Sequence, residues 1–183
     1  GFFAGRLKAL RQQKARLVGS AAVPVIVVGN ITVGGTGKTP MVIWLVEQLQ
    51  RRGFTPGVVT RGYRGRASRA GSLVPTDGNA ALYGDEAVLM RRRLQCLVAV
   101  AADRPKAVSM LIDEGCDIVV SDDGLQHYAM ERDIEIAVVD GARGLGNGRL
   151  MPAGPLREPR SRLEVVDWVV SNGCQTGLRA DEI

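Results

Sequence analysis

Residues 25–39 read Val-Ile-Val-Val-Gly-Asn-Ile-Thr-Val-Gly-Gly-Thr-Gly-Lys-Thr, and this stretch decides the fold. Its first part is a continuous apolar run, which is typical of a buried strand in a parallel sheet. The glycine-rich part from Thr32 to Thr39 matches a P-loop, in which backbone N–H groups and the N-terminus of the next helix hold phosphate oxygens. Thr32 stands where the usual pattern has a glycine. The stretch predicts a nucleotide-phosphate site.

Two side chains of this loop carry chemistry beyond the backbone cradle. The Lys38 ammonium group is expected to reach the β- and γ-phosphates of a nucleotide, and the Thr39 hydroxyl group is expected to bind Mg²⁺. The full set of expected phosphate contacts is Thr32, Val33, Gly34, Gly35, Thr36, Gly37, Lys38 and Thr39.

The rest of the chain continues the alternation of strand and helix. The expected strands are Val25–Val28, Gly57–Thr60, Leu97–Ala101, Ile118–Ser121, Ile134–Val139 and Trp168–Ser171. The expected helices are Lys38–Arg52, Asp85–Arg93 and Arg104–Glu114. This order predicts an α/β fold of the P-loop NTPase type, with a mainly parallel sheet and helices on both faces. Two irregular stretches, Arg61–Leu82 and Gly141–Arg162, are expected to be functional loops.

The formal net charge of +5 comes from the first 20 residues, which hold five bases and no acid. The remainder carries equal numbers of bases and acids, so a general nucleic-acid surface is not expected. Phe3, Leu7, Leu10 and Leu17 fall on one helical stripe among these bases. The pattern predicts a basic amphipathic helix over residues 1–21, followed by a core lobe over residues 22–183. Contact with an anionic membrane surface and packing on the core both remain open for this helix.

The remaining totals describe an ordinary globular chain of 183 residues, enough for one domain or slightly more. No apolar run approaches the roughly 20 residues that are needed to cross a bilayer. Cys96, Cys116 and Cys174 are odd in number and far apart, which favours buried thiols in a reducing compartment over disulfides or a zinc site.

Paired acids follow the expected strand Ile118–Ser121. Asp122 and Asp123 are placed as the second metal-binding element of a P-loop site, although Asp-Asp-Gly is also a turn sequence. Two adjacent carboxylates repel each other, and Mg²⁺ between or near them would offset that repulsion. His127, the single histidine of the chain, follows closely and is expected to belong to the same site.

Two more acids lie at expected helix starts. Asp85 is interpreted either as a helix N-cap or as a general base that takes a proton from an acceptor hydroxyl, and the chemistry alone does not separate these roles. Asp103 and Arg104 are interpreted as a cap followed by a solvated arginine.

A basic loop follows the expected strand Gly57–Thr60, at the edge where parallel sheets bind ligands. Its residues Arg61, Tyr63 and Arg64 are expected to contact a phosphate group on a small or lipid substrate, since arginine binds phosphate in a planar, bidentate manner. A solvated loop is the alternative.

Five motifs occur in an order that resembles the tetraacyldisaccharide 4'-kinase family. They are Val28-Gly-Asn-Ile-Thr-Val-Gly-Gly-Thr-Gly-Lys-Thr-Pro40, Thr60-Arg-Gly-Tyr-Arg-Gly65, Gly84-Asp-Glu86, Asp122-Asp-Gly-Leu-Gln-His127 and Asn147-Gly-Arg-Leu-Met-Pro-Ala-Gly-Pro-Leu-Arg-Glu-Pro159. The match extends over about residues 23–172, and the last two motifs are far more specific than a P-loop.

The resemblance implies transfer of the ATP γ-phosphoryl group to the 4'-hydroxyl of an acylated glucosamine disaccharide 1-phosphate, which gives lipid IVA. It implies a peripheral enzyme at the cytoplasmic face of the inner membrane of a Gram-negative bacterium. It assigns metal and nucleotide binding to Asp122 and Asp123, nearby contacts to Gln126 and His127, and the catalytic base to Asp85. Family members are longer and carry a second α/β lobe, so this chain is expected to be the nucleotide-binding lobe.

An alternative from another class is a membrane-associated P-loop ATPase switch of the partitioning or chaperone kind. It shares the P-loop and the acidic strand end, but it does not account for the Pro-Ala-Gly-Pro-Leu-Arg-Glu-Pro segment or the loop Arg61–Gly65.

Overall fold

The structure is a computed structural model that describes Ala9 and residues 23–173. This part of the chain contains seven strands: β1 (Val25–Gly29), β2 (Pro56–Thr60), β3 (Ser72–Leu73), β4 (Leu97–Val100), β5 (Ile118–Asp122), β6 (Ile134–Asp140) and β7 (Trp168–Asn172). They form one sheet in the order β3-β4-β2-β5-β1-β6-β7. Neighbouring strands are parallel except for β3, which runs antiparallel to β4. The predicted mainly parallel sheet is confirmed.

The helices are α1 (Lys38–Gln50), α2 (Ala80–Tyr83), α3 (Asp85–Arg93), α4 (Arg104–Asp113) and α5 (Arg162–Val165), with a 3₁₀ turn at Arg66–Arg69. The three predicted helices are confirmed, and two of them end one or two residues earlier than expected. The stretch that was expected to be an irregular loop before Leu82 instead contains the 3₁₀ turn, β3 and most of α2.

Side chains of the strands alternate between two apolar layers. Ile26 and Val28 of β1 pack in the layer that contains α1 and α3, whereas Val25 and Val27 pack in the opposite layer with α4. Because both faces of the central strands are covered, their sequences are continuous apolar runs. Fully burying each such side chain contributes about 1.5–3 kcal/mol, so this core fixes the strand ends that carry the polar residues.

From β1 the chain continues to β2, which lies on the far side of β5. From β5 it continues to β6, which lies on the far side of β1, so these two connections run in opposite directions across the sheet. In parallel α/β sheets such a switch point forms a crevice at the carboxyl ends of the strands, where ligands bind. The register pairs Val28 of β1 with Asp122 of β5, so the P-loop and the paired acids lie at the same edge.

Two sequence predictions concern residues outside the described part of the chain. The basic amphipathic helix over residues 1–21 lies outside the described residues apart from Ala9, and so does Cys174. Cys96 and Cys116 are buried free thiols, as predicted. No helix within the described part of the chain is long and apolar enough to span a bilayer.

Candidate functional site

The P-loop connects β1 to α1, and its conformation depends on glycine at Gly37. This residue has a φ of 88° and is the N-cap of α1. A Cβ atom there would come within 2.2 Å of Nδ2 of Asn172, whose amide group donates to the Thr36 carbonyl oxygen at 3.2 Å. The end of β7 therefore fixes the loop at the point where α1 begins.

Thr32 replaces the usual first glycine without strain. Its φ angle is not positive, so this position does not require a left-handed conformation. Its backbone forms a bridge with Leu156, and its carbonyl oxygen accepts a hydrogen bond from the Asn30 amide group at 2.7 Å. The β-branched residue thus suits the short extended segment between β1 and the phosphate cradle.

The segment around Pro155 is hydrogen-bonded to the P-loop and to the residue that precedes it. The Val33 N–H group donates to the Pro155 carbonyl oxygen at 2.8 Å, and the Arg157 N–H group donates to the Ile31 carbonyl oxygen at 2.7 Å. On another side the Arg143 guanidinium group donates to the Gly35 carbonyl oxygen. The motif that made the sequence distinctive therefore supports the nucleotide loop directly.

Lys38 points toward the paired acids. Its Nζ atom donates to Oδ1 of Asn30 at 3.1 Å and lies 3.6 Å from a carboxylate oxygen of Asp123. Asp123 also accepts from Arg157 at 3.3 Å, and its φ of 51° places it in the left-handed region. Such a conformation is uncommon outside glycine and clusters at functional sites.

Asp122 is 2% exposed at the carboxyl end of β5, and its Oδ1 atom has no hydrogen-bond partner within the described residues. Burial and the charges of Glu86 and Asp123 raise the pKa of its carboxyl group, Lys38 and Arg104 oppose them, and the resulting pKa is about 7. The protein therefore holds a carboxylate whose charge is only partly compensated near neutral pH.

Arg104 corrects an interpretation from the sequence. Asp103 does cap α4, since its side chain accepts from the Lys106 N–H group, but Arg104 is 3% exposed rather than solvated. Its Nη2 atom donates to the Asp122 carbonyl oxygen at 3.0 Å, and burial lowers the pKa of its guanidinium group to about 10. Arg104 thus fixes the strand end that carries the paired acids.

Unsatisfied polar atoms concentrate at this edge of the sheet. In residues 23–173, the buried side-chain atoms without a hydrogen-bond partner are Thr36 Oγ1, Arg104 Nη1, Ser121 Oγ, Asp122 Oδ1 and Ser171 Oγ. All belong to the P-loop or to residues at or just beyond the carboxyl end of a strand. Buried polar groups normally have partners, and of these atoms Thr36 Oγ1 in the P-loop and Asp122 Oδ1 at the neighbouring strand end are placed to receive them from a polar ligand at this edge.

The same residues fit a magnesium ion bound together with phosphate. Asp122 offers an unpaired carboxylate oxygen, and Thr39 is the second residue of α1, directly after Lys38. No group of three or more His, Cys, Asp or Glu side chains within the described chain forms a metal cage by itself. Magnesium commonly binds through one or two carboxylates, water and substrate phosphates, so a complete protein cage is not required.

Asp85 and the basic loop come together through close glycine contacts. A Cβ atom on Gly62 or Gly65 would lie within 3.0 Å of backbone atoms at Tyr83, and one on Gly84 would lie 2.7 Å from the Tyr63 carbonyl oxygen. The loop therefore packs directly on the start of α3. Asp85 is the first residue of that helix and Gly84 is its N-cap, so Asp85 is not the cap.

Four residues that were predicted to contact a ligand lie in or near the basic loop: Arg61, Tyr63, Arg64 and His127. The charge of Arg61 acts on both Arg104 and His127, which places its guanidinium group near these two side chains. Tyr63 is 67% exposed, and the Arg64 guanidinium group lies 5.3 Å from the centre of its ring. Partial burial and the charges of Arg104 and Arg132 lower the pKa of His127, which favours its neutral form.

Gln126 lies behind the P-loop. Its amide group donates to the Asn30 carbonyl oxygen at 3.0 Å and to Glu158, a buried carboxylate that also interacts with Tyr128 and Arg162. Gln126 therefore links the start of the P-loop to the Pro155 segment.

Sequence reasoning did not find several residues of the site. They are Asn30, Glu86, Arg104, Arg143, Arg157, Glu158 and Asn172. Asn30, Glu86, Arg157 and Glu158 lie inside the quoted motifs, so proximity to an assigned residue was an available signal. Asn172 and Arg143 had no such signal, because their role depends on the position of β6 and β7 beside β1.

Comparisons with known proteins agree with this geometry. A family model described as tetraacyldisaccharide-1-P 4'-kinase matches residues 1–182. The tetraacyldisaccharide 4'-kinase of Tolumonas auensis is 59% identical over 164 residues, which is 89% of this chain and 50% of that protein. The one from Vibrio vulnificus is 54% identical over 173 residues, which is 94% of this chain and 52% of that protein. The chain thus spans about half the length of these curated relatives.

A solved structure gives the same architecture. The crystal structure of LpxK from Aquifex aeolicus in complex with ATP matches with a TM-score of 0.75 at 27% identity. The match covers 94% of this chain and 56% of the Aquifex chain.

The buried carboxylate yields a prediction about stability and pH. The pKa of Asp122 is about 7 in the folded protein against an ordinary value of 3.8. The folded state therefore keeps a proton that the unfolded state loses in this interval, and the free energy of unfolding falls as the pH rises through it. Without nucleotide or divalent cation, we expect Asp122→Asn to raise the melting temperature at pH 8 by several degrees, at roughly 2–4 °C per kcal/mol.

At pH 4 the wild type and Asp122→Asn should melt at similar temperatures, as measured by calorimetry. Asp113→Asn is the matched control, because Asp113 is exposed at the end of α4 and its loss should bring no gain at pH 8. An Asp122→Asn variant that is less stable than the wild type at pH 8 contradicts the account of the buried charge.

Proposed function

The chain belongs to the tetraacyldisaccharide 4'-kinase family, and from this premise we propose that it forms the nucleotide-binding lobe of an ATP-dependent lipid kinase. The enzyme transfers the ATP γ-phosphoryl group to the 4'-hydroxyl of tetraacyldisaccharide 1-phosphate, and the product is lipid IVA in lipid A biosynthesis. The relatives are about twice as long, so the activity is proposed for the full-length native enzyme.

The grouping of unsatisfied buried atoms at the carboxyl edge carries this proposal. Thr32–Thr39 hold the phosphates through backbone N–H groups and the N-terminus of α1. Thr39, Asp122 and Asp123 would hold Mg²⁺, which when bound supplies positive charge near the β- and γ-phosphates. Glu86 raises the pKa of Asp122 and so lies near the same position.

Lys38 changes partners when the nucleotide binds. In the structure its ammonium group contacts Asn30 and Asp123. These contacts aim Lys38 at the edge where the γ-phosphate would lie, and the phosphate oxygens then replace the Asp123 carboxylate. Phosphoryl transfer depends mainly on such positioning and charge neutralisation.

Asp85 acts on the acceptor. Its carboxylate is exposed at the start of α3, and no hydrogen bond or ion pair engages it within residues 23–173. It accepts the proton of the 4'-hydroxyl as that oxygen bonds to the γ-phosphorus and the bond to the β–γ bridging oxygen breaks. Arg61, Tyr63 and Arg64, packed against the start of α3, contact the sugar or phosphate of the acceptor.

The acceptor is a lipid, so the enzyme works at a membrane surface. We place it peripherally on the cytoplasmic face of the inner membrane of a Gram-negative bacterium. Residues 1–20, with five bases and no acid, supply charge for contact with anionic headgroups. No nucleic-acid partner is proposed.

Transfer of label tests the function. The full-length native enzyme is incubated with γ-labelled ATP, Mg²⁺ and tetraacyldisaccharide 1-phosphate, and the products are separated by thin-layer chromatography. We expect a labelled lipid, and none from Lys38→Ala, because this variant lacks the charge that offsets the phosphates. Labelled free phosphate without labelled lipid supports instead a P-loop ATPase switch.

Asp85→Asn tests the proposed base separately from nucleotide binding. We expect kcat to fall by roughly 100-fold or more, the usual contribution of general base catalysis, while the Kd for ATP remains unchanged. Asp113→Asn is the matched control, since Asp113 is an exposed aspartate at the far end of α4. An Asp85→Asn variant with the wild-type kcat removes Asp85 from the mechanism.

A further inference from the structure

An open groove of about 470 Å³ runs along α1 and α3. Its lining residues lie at helical spacing on both helices, from Thr39 to Glu47 on α1 and from Glu86 to Arg93 on α3. At 1.5 Å per residue, the stretch of α1 that lines it is about 12 Å long. The volume lies within the range of small-molecule sites, and the two helices that form its walls belong to the folded core.

The middle of this groove is apolar although it is open to solvent. Pro40, Ile43 and Trp44 line it from α1, and Leu89 lines it from α3. Trp44 and Leu89 are each 53% exposed. Large apolar side chains that are exposed together along a groove mark a binding surface rather than ordinary surface residues.

The groove begins at the reaction centre. Thr39, which would bind Mg²⁺, and Glu86, whose charge acts on Asp122, both line its upper end. A second apolar groove, of about 410 Å³, lies on the other side of Trp44, but none of its lining residues belongs to the candidate site. Of these two grooves, only the α1–α3 groove connects the candidate phosphate site to an apolar surface.

We propose that the α1–α3 groove binds one acyl chain of the acceptor lipid, an inference that rests on the proposed kinase function. The acceptor carries its acyl groups on the same small disaccharide as the reacting hydroxyl, so an apolar chain has to leave the site close to the γ-phosphate. The groove offers that path, with its polar end at the nucleotide and its apolar walls directly beyond. Binding there aligns the sugar with Asp85 at the start of α3.

Leu89→Gln tests the groove, because Leu89 lines it and does not line the second groove. In the full-length native enzyme, kcat and KM are measured for an acceptor with long acyl chains and for one with acyl chains of a few carbons. We expect the KM for the long-chain acceptor to rise roughly ten-fold, with a much smaller change for the short-chain acceptor, because an apolar wall discriminates by methylene contacts. The kcat and the KM for ATP should not change.

Two further variants complete the design. Val165→Gln is the control, since Val165 is 70% exposed on α5 and lies outside the groove. Leu89→Trp narrows the groove without adding polarity, and it should also raise the KM for long chains more than for short chains.

The outcomes separate the two proposals. A wild-type enzyme that labels no acylated acceptor defeats the proposed function and the groove together. If the wild type labels both acceptors and the KM of the Leu89 variants depends on acyl-chain length as in the wild type, the acyl-chain groove is contradicted and the proposed kinase function is not. Leu89 variants with a lower melting temperature and equally slower phosphorylation of both acceptors also contradict the acyl-chain groove. Such a result indicates that another part of the native protein covers the groove.

Discussion

A carboxylate that is buried in a protein with only partial compensation of its charge raises the free energy of the fold, and Asp122 is in this position at the end of the central strand β5. The core on both faces of the sheet holds β5, so the carboxyl group is not free to turn out to solvent. Lys38 and Arg104 offset its charge only in part, since the pKa of Asp122 remains well above its ordinary value. In the proposed function this partly compensated carboxylate is the position for a cation at the nucleotide phosphates, and its burial lowers the stability of the fold.

Close backbone approach brings the other reactive groups to the same edge. Gly37 lets the end of β7 touch the P-loop, and Gly84 lets the basic loop touch the start of α3. These contacts join the P-loop to the end of β7 and the basic loop to the start of α3, although the joined segments are far apart in the sequence. Helices α1 and α3 also continue away from this edge as the walls of the apolar groove, so the same two helices serve the nucleotide and the proposed lipid chain.

The sequence was sufficient for the parts of the fold that are local. Continuous apolar runs predicted the buried strands, and the P-loop pattern together with the paired acids predicted where the edge carries its polar groups. Arg104 was misjudged because a helix start normally exposes its side chains, and its burial depends on how α4 packs beside β5. Asn172 and Arg143 contact the P-loop through the strand order β1-β6-β7, and strand order depends on long-range pairing that no local pattern encodes.

The pKa of the Asp122 carboxyl group is the most direct measure of this account. A carbon-13 NMR titration of the ligand-free protein should give a midpoint for Asp122 of about 7, against an ordinary value of 3.8. Addition of Mg²⁺ and a non-hydrolysable ATP analogue should move this midpoint below the ordinary value, because a nearby cation favours the carboxylate. A midpoint near 3.8 in the ligand-free protein, or one that does not move when Mg²⁺ and the nucleotide analogue bind, would contradict the claim that Asp122 holds the charge for the bound metal and nucleotide.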